Sequence, residues 1–206
     1  ALGANTTANY NTAVGKNALV ASTTGNHNVG LGNGALAANT TASYNTAVGS
    51  NSLVASTTGA SNVAMGYAAA NALTTASHNV SIGHYAFISA TTAEQTVAIG
   101  SYALDAPTTG GSYSTAIGYN TLSAVTTATH NTAVGHSALV SATTGGDNVA
   151  VGNGALDANT TGIQNVAIGR DALGANTTAS WNTAVGREAL KTVSTGTYNT
   201  AVGRTA

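Results

Sequence analysis

Hydrophobic and polar positions recur along the whole chain with a 17-residue period. Each period contains a short segment of the type Ala-(Val/Ile)-Gly. The glycines that end these segments are Gly15, Gly32, Gly49, Gly66, Gly83, Gly100, Gly118, Gly135, Gly152, Gly169, Gly186 and Gly203. Every step between them has the same length except that from Gly100 to Gly118, which is longer by one. Twelve copies fill the chain, so the pattern predicts a single repeat array over residues 1–206.

The single extra residue indicates where the repeat has a surface turn. It lies in the stretch from Thr108 to Ser112, beside the only proline, Pro107. Surface turns tolerate insertions better than packed segments do. We therefore expect a turn with a one-residue insertion near residues 110–112.

Two bulky apolar positions recur in each unit, five residues apart. The first, the valine column, is Val14, Leu31, Val48, Met65, Ile82, Ile99, Ile117, Val134, Val151, Ile168, Val185 and Val202. The second, the leucine column, is Leu2, Leu19, Leu36, Leu53, Ala70, Phe87, Leu104, Leu122, Leu139, Leu156, Leu173 and Leu190. Two bulky residues per repeat are too few for a helical hairpin, and Glu, Lys and Arg are scarce, so short β-strands are favoured.

The alternation within Thr12-Ala13-Val14 places Thr12 and Val14 on one face of a strand and Ala13 on the other. A repeat of this length can supply two short strands and two turns. We therefore expect an all-β fold, a parallel β-solenoid or β-roll of twelve 17-residue coils, with the valine and leucine columns as its core. The glycine after each strand predicts a tight corner with positive φ or close backbone approach.

The opposite strand face would then carry only small residues such as Ala13 and Ala47. A uniformly small face invites close packing against copies of the same chain, and a trimer around a common axis is the expected arrangement. The alternative is a monomeric rod whose alanine face is merely flat.

Composition narrows the function classes. Only 5% of residues are charged, against about a quarter in ordinary domains, and the formal net charge is -1, so the basic surplus of nucleic-acid-binding proteins is absent. There is no Cys, which excludes disulfides and thiolate metal sites. No apolar run approaches the roughly 20 residues of a membrane-spanning helix, so membrane insertion is not expected.

An asparagine column precedes the strands and predicts a hydrogen-bonded ladder along the axis that also holds a turn. Thr96 and Ser114 interrupt it. Its members are Asn11, Asn28, Asn45, Asn62, Asn79, Asn131, Asn148, Asn165, Asn182 and Asn199. A pair of threonines, first seen as Thr6-Thr7, recurs in nearly every coil, and one hydroxyl of each pair is expected to point outward. Ordinary packing in β-turns or an ice-binding face would both use such a ladder.

Aromatic residues concentrate in two columns. One lies immediately before the asparagine column, and the other lies two residues after the valine column, with Tyr85 and Tyr102 next to it. Rings beside amides are typical of sugar-binding faces, although the rings could equally shield strand ends or fill seams between subunits. The candidate ligand-contact residues, all in the first column, are Tyr10, Tyr44, Tyr113, Trp181, Tyr198, His27, His78 and His130.

No pattern of catalytic, cofactor-binding or metal-binding residues is present, so no enzyme is predicted. The nearest histidines of the first aromatic column, such as His27 and His78, are three coils apart, roughly 14 Å at β-strand spacing. The six acidic residues share no column. Arg170, Arg187 and Arg204 follow glycine in successive coils, and we expect neighbouring acids or another chain to neutralise them.

Two stretches carry a resemblance to a known class of repeats. Residues 44–49, Tyr-Asn-Thr-Ala-Val-Gly, and residues 155–162, Ala-Leu-Asp-Ala-Asn-Thr-Thr-Gly, resemble the NTAVG…AL…NTTG repeats of phage tail fibres and bacterial surface fibres. More distantly, the unit is similar to head repeats of trimeric autotransporter adhesins. The resemblance covers all twelve copies. It implies a homotrimeric fibre of left-handed parallel β-rolls, located outside the cell, on the cell surface or on a virion.

Together these observations predict a structural fibre shaft with an adhesive role, whose partners are copies of itself and cell-surface glycans. Because the chain begins and ends in mid-unit, we expect it to be a segment of a longer fibre. The alternative hypothesis is an ice-binding or mineral-templating solenoid that uses an outward threonine ladder.

Overall fold

The computed structural model describes residues 1–106 and 109–206; Pro107 and Thr108 lie outside the described part. In that part the chain has no helix and forms twelve three-residue strands in one parallel sheet, ordered as in the sequence. The strands are β1 Thr12–Val14, β2 Val29–Leu31, β3 Thr46–Val48, β4 Val63–Met65, β5 Val80–Ile82, β6 Val97–Ile99, β7 Thr115–Ile117, β8 Thr132–Val134, β9 Val149–Val151, β10 Val166–Ile168, β11 Thr183–Val185 and β12 Thr200–Val202. The predicted all-β parallel solenoid of 17-residue coils is confirmed.

Each strand pairs in register with its counterpart in the next coil. Thr12 lies opposite Val29 and Ala13 opposite Gly30. Across the single longer step the same columns stay opposite each other, since Val97 pairs with Thr115. The extra residue is therefore absorbed between β6 and β7. The stretch predicted to hold it includes Thr108, which lies outside the described residues.

The two faces of the sheet are the reverse of the prediction. The alanine column points inward, with Ala47 and Ala133 fully buried, whereas Met65 is 42% and Ile168 40% exposed. Thus the valine column lies on the outer face, and its expected place in the core is wrong. The expectation that the alanine face packs against other chains is wrong for the same reason, because that face is interior.

The physical cause is the small distance between the two walls of the coil. A Cβ atom built on Gly30, in the middle of β2, would lie 3.3 Å from Cγ of Leu19 and 3.2 Å from the carbonyl oxygen of Ala35. The leucine column, with Leu36 and Leu156 fully buried, thus fills the interior from the opposite side. Only alanine or a residue of similar size fits across from it. In most coils the core is therefore built from one leucine and a few small residues, with Ala70 and Phe87 in place of the leucine in two coils.

Each coil contains one strand instead of the two expected. The leucine column lies in a turn, where Leu19 has φ 49° and Leu36 has φ 53°, in the left-handed region. This conformation costs a leucine about 1–2 kcal/mol. Complete burial of the side chain stabilises by a similar or larger amount, about 1.5–3 kcal/mol. The Leu19 N–H also donates to the Ala35 carbonyl oxygen at 3.0 Å, so the turn is hydrogen-bonded to the next coil.

Hydrogen bonds between coils continue through the remaining turns. The Thr23 N–H donates to the carbonyl oxygen of Thr40 at 2.9 Å, and the His27 N–H donates to that of Asn9 at 3.2 Å. The stacking of one coil on the next is thus a property of the whole coil and not of its three-residue strand alone.

The glycine after each strand has the predicted conformation. Gly152 has φ 139°, and a Cβ atom there would lie 2.6 Å from the carbonyl oxygen of Gly169 in the next coil. Contacts this short with backbone atoms cannot be relieved by a side-chain movement. Positive φ and close approach therefore both require glycine, which confirms the prediction for this column.

We expect Gly152→Ala to lower the free energy of unfolding by about 3 kcal/mol, because the new methyl group meets the backbone of the next coil. Chemical denaturation followed by circular dichroism measures this. Gly174→Ala is the matched control, since the same position holds Ala37 in another coil; its change should stay under about 1 kcal/mol. Equal effects of the two substitutions would contradict the glycine assignment.

The inward direction of the alanine column is tested on neighbouring residues of β8. Ala133→Leu adds bulk to a closed interior and should destabilise the chain by about 1–3 kcal/mol. Val134→Leu adds a methylene to the outer face and should change stability by less than about 0.5 kcal/mol. Thermal melting of the two variants at equal concentration distinguishes the two faces. If Val134→Leu destabilised the chain more than Ala133→Leu, the valine column would belong in the core as the sequence predicted.

Candidate functional site

The first aromatic column lies at the corner just before the strands. Its residues adopt left-handed backbone conformations, with φ 60° at Tyr10, 57° at His27 and 64° at Tyr44. This backbone directs their side chains to the outside, so Tyr10 is 78% and Tyr198 73% exposed. The column is therefore accessible along the rod.

The structure brings most of the candidate ligand-contact residues into ring stacks. The His27 ring lies between those of Tyr10 and Tyr44, with centroid distances of 4.7 and 5.2 Å and interplanar angles of 11° and 4°. A second stack pairs Tyr113 with His130 at 4.9 Å.

The third stack pairs Trp181 with Tyr198 at 5.0 Å and 2°. The indole N–H of Trp181 also donates to Oε1 of Gln164, one coil away, at 2.5 Å. His78, by contrast, has Ser61 and Gln95 as its column neighbours, so the repeat places no ring of its own column against it.

Stacking changes what these rings can do chemically. A ring between two parallel neighbours, such as His27, has both faces covered and presents only its edge to solvent. Carbohydrates contact the faces of aromatic rings with their C–H groups. Stacking thus covers both faces of His27 and one face of each ring at the end of a stack.

The asparagine column lies inside the coil and is buried, with Asn28, Asn45 and Asn148 at 0% exposure. Each side-chain oxygen accepts a backbone N–H from the next coil, as Asn28 Oδ1 does from Asn45 at 3.0 Å. Most of the amide nitrogens donate to a turn carbonyl, as Asn148 Nδ2 does to Gly162 at 2.9 Å, whereas Asn199 Nδ2 donates to Asn182 Oδ1 at 3.0 Å. These residues are therefore engaged in the scaffold and do not face a ligand.

The two threonines of each pair have different surroundings. The hydroxyl of the first donates to the carbonyl oxygen of its counterpart one coil on, as Thr23 does to Thr40 at 3.1 Å. The second, for example Thr24, Thr41 or Thr144, is exposed. In the coils of Thr6, Thr91 and Thr126 the first threonine is exposed as well, so the number of outward threonines differs between coils.

A second group of rings was not among the candidate ligand-contact residues. It lies one corner further on, after the strands, and spans five coils. The central aromatic cluster, as it is called below, comprises Tyr67, His84, Tyr85, Tyr102, Tyr119 and His136. The sequence contains a signal for this cluster. In coils four to eight, and in no other coil, at least one of the two positions after the strand glycine carries an aromatic ring.

Ring orientations in this cluster are mixed. Tyr67 stacks on His84 at 20°, and Tyr119 stacks on His136 at 20°. Tyr102 lies between these pairs and is turned by 77° from His84 and 78° from Tyr119. Tyr85 is turned by 64° from Tyr67, and the charge and burial around it, with Tyr67 as the largest cause, raise the pKa of Tyr85.

Charged side chains cluster in the last coils and pair within the chain. Arg170 contacts Asp171 at 3.3 Å, and Arg187 contacts Glu188 at 3.2 Å. Lys191 Nζ bridges the two acids, at 3.7 Å from Asp171 and 3.6 Å from Glu188. The acids expected beside the arginines are thus present in the same chain.

Two of the acids in this region have shifted pKa values. Burial, and to a smaller extent the charge of Asp171, raises the pKa of Asp157. Burial acts to raise the pKa of Glu188 as well, but Arg187 and Lys191 outweigh it and the pKa of Glu188 is lowered. The shift of Asp157 thus reflects burial, and that of Glu188 reflects ion pairing.

Within residues 1–106 and 109–206, no group of three or more His, Asp or Glu side chains is placed to hold a metal ion. The same part of the chain has no helix with the length and hydropathy that a membrane span requires. Comparisons with protein-family models, with curated proteins and with solved structures find no match.

The role of the asparagine ladder is tested at Asn148. Asn148→Val removes both the acceptor for the backbone N–H of Asn165 and the donor to Gly162, so we expect a loss of about 2–4 kcal/mol of unfolding free energy. Asn148→Thr has nearly the same shape but keeps a hydroxyl, as Thr96 does in the same column. In urea denaturation, the unfolding free energy of Asn148→Thr should exceed that of Asn148→Val by at least about 1 kcal/mol. Equal stability of the two variants would show that the hydrogen bonds of this position do not contribute.

Proposed function

We propose that the chain is a structural shaft of an extracellular or virion-borne fibre, in which copies associate through the outer face of the twelve-stranded sheet. The observation that carries this proposal is the composition of that face. It consists of the valine column and the neighbouring column that begins with Thr12 and Val29, and it contains only Thr, Val, Leu, Ile and Met. The proposed role is structural and not enzymatic.

Exposure and extent support an association surface. Leu31 is 44%, Met65 42% and Ile168 40% exposed. At about 4.8 Å per coil the apolar strip runs for roughly 53 Å, with its two columns about 7 Å apart. Monomeric soluble proteins rarely leave a continuous apolar surface of this kind uncovered. A partner with the same axial repeat would bury it over its full length.

Another copy of the chain supplies that repeat. Its coils have the same spacing, and its outer face has no charge to desolvate. Three narrow apolar strips that converge on one axis would enclose a core between the chains, whereas two would leave the flanks of each strip in water. The homotrimer implied by the resemblance to surface-fibre repeats fits this geometry.

An adhesive role for the fibre is part of the proposal, with cell-surface glycans as the expected partners. The stacked rings of the first aromatic column support it through their edges and through the one uncovered face of each ring at the end of a stack. The ice-binding alternative has less support, because the hydroxyl of the first threonine, as in Thr6 and Thr23, donates to the next coil and is engaged within the scaffold. The exposure of that threonine also differs from coil to coil, so the outward hydroxyls do not form a regular two-dimensional array.

Association through the outer face is tested by Ile168→Asp. We expect the unmodified chain to be an elongated trimer and the variant to lose at least about tenfold in association constant, because a carboxylate would be buried between apolar strips. Sedimentation velocity and small-angle X-ray scattering report mass and shape.

Ile163→Asp is the matched control for this experiment. It introduces the same change at a turn position where another coil holds Glu94, so association should be unchanged. A monomeric wild-type chain, or equal effects of the two substitutions, would contradict the proposed interface.

A further inference from the structure

We propose that the central aromatic cluster binds a neutral polysaccharide that lies along the rod, with the ring of Tyr102 as its stacking platform. This inference rests on the adhesive part of the proposed function and names its site and ligand class. It places the binding surface on rings other than the candidate ligand-contact residues of the first aromatic column.

Ring orientation singles out Tyr102. In the first aromatic column the stacked rings are nearly parallel to their axial neighbours, at 4° for His27 and Tyr44 and 2° for Trp181 and Tyr198, and each covers one face of its neighbour. Tyr102 is turned by 77° and 78° from the rings above and below it. No parallel ring therefore covers it from above or below, although the Tyr85 ring lies 5.8 Å away at 55°. Tyr102 is half-buried, and the exposed part of its ring can contact the C–H surface of a sugar.

The reason for this orientation lies in the sequence of the column. Tyr67, His84, Tyr119 and His136 occupy the first position of the corner, but coil six has Ser101 there. The ring of coil six comes from the next position, Tyr102, and therefore extends from a different point of the corner than the rings above and below it. A sequence interruption of one coil thus turns one ring out of a stack.

Polar groups suited to hydroxyl ligands surround the platform. Tyr67 is 46% and Tyr119 51% exposed, and His84 and His136 are exposed as well. Phenol hydroxyls and imidazole nitrogens both donate and accept hydrogen bonds.

Charge favours a neutral ligand. Across coils four to eight the two positions of this corner hold only aromatic residues, His, Ala, Ser and Asn. In the last three coils the same positions hold Arg170, Asp171, Arg187, Glu188 and Arg204. An acidic glycan would be attracted to the arginines and not to the cluster. The aromatic part of the corner suits a polymer without ionic groups.

The spacing of the rings favours a polymer over a single sugar. Centroid distances along the axis are 5.6 Å from His84 to Tyr102, 5.9 Å from Tyr102 to Tyr119 and 5.3 Å from Tyr119 to His136. From coil four to coil eight the cluster extends for roughly 19 Å. A ligand with repeating apolar ring faces and hydroxyl edges can contact several of these rings at once.

The test uses the full chain with amorphous cellulose and soluble mannan as neutral polymers and alginate as an anionic one, by pull-down and affinity gel electrophoresis. We expect binding to at least one neutral polymer, no binding to alginate, and a loss of about tenfold in affinity for Tyr102→Ser. Tyr102→Phe keeps the ring and should stay within about twofold. Ser137 occupies the same backbone position as Tyr102, with φ 54°, so the serine variant is compatible with the coil.

Tyr113→Ser is the matched control, because Tyr113 is 50% exposed but belongs to a stacked column in which Ser61 has the same conformation. Its affinity should be unchanged. The proposal is overturned by absence of binding to both neutral polymers, by binding to alginate alone, or by equal losses in the two serine variants. A change in oligomeric mass for Tyr102→Ser would identify the cluster as a subunit contact instead. If Ile168→Asp loses association but still binds the polymer, the result supports the interface on the outer face and leaves the proposed binding site intact.

Discussion

The structure depends on the hydrogen-bonded stacking of each coil on the equivalent coil that follows it in the chain. Strands of three residues would be unstable alone, but strands within the array pair on both sides, and the turns between them are hydrogen-bonded to the next coil as well. This ladder fixes every residue opposite its counterpart. It accounts for the glycine column, since backbone atoms of Gly152 and Gly169 approach too closely for a side chain, and it holds Leu19 in a left-handed conformation that a leucine would otherwise avoid.

The width of the coil determines which residues are inside. One leucine per coil nearly reaches the opposite strand, as the short distance from Leu19 to a Cβ at Gly30 indicates, so the strand can contribute only alanine or a residue of similar size to the interior. The β-branched residues of the strand must then face outward. A thin solenoid with a leucine on one wall therefore acquires an apolar outer face as a consequence of its own core. Self-association through that face follows from the same packing that makes the coil stable.

Much of the fold could be predicted from the sequence, because periodicity and alternation are local properties. The repeat, the strand position, the parallel pairing and the conformation of the glycine corner all follow from residue spacing. The inner and outer faces could not be assigned, because alternation separates Ala13 from Val14 but does not reveal the distance to the opposite wall. The prediction of a second strand in each coil was wrong, because Leu19 lies in a turn and has a left-handed backbone conformation that leucine rarely adopts. For the candidate site, the two aromatic columns could be predicted from the sequence. The orientation of their rings could not, because it depends on side-chain torsions that residue spacing does not specify.

A stacked repeat also limits the chemistry of each column, because residues within the array have a near-identical neighbour about 4.8 Å above and below. Asparagine suits this arrangement, as Asn148 illustrates. Its oxygen accepts the backbone N–H of Asn165 in the next coil, and its nitrogen donates to Gly162 in that coil and to Asn131 Oδ1 in the preceding one. Identical charges in successive coils would repel, and in the last coils arginines lie beside acids, as Arg187 does beside Glu188. Aromatic rings stack, and stacking hides the faces by which they would bind a ligand. Binding capacity in such a rod should therefore arise where the repeat is broken, as at Ser101 and Tyr102, and not where it is most regular.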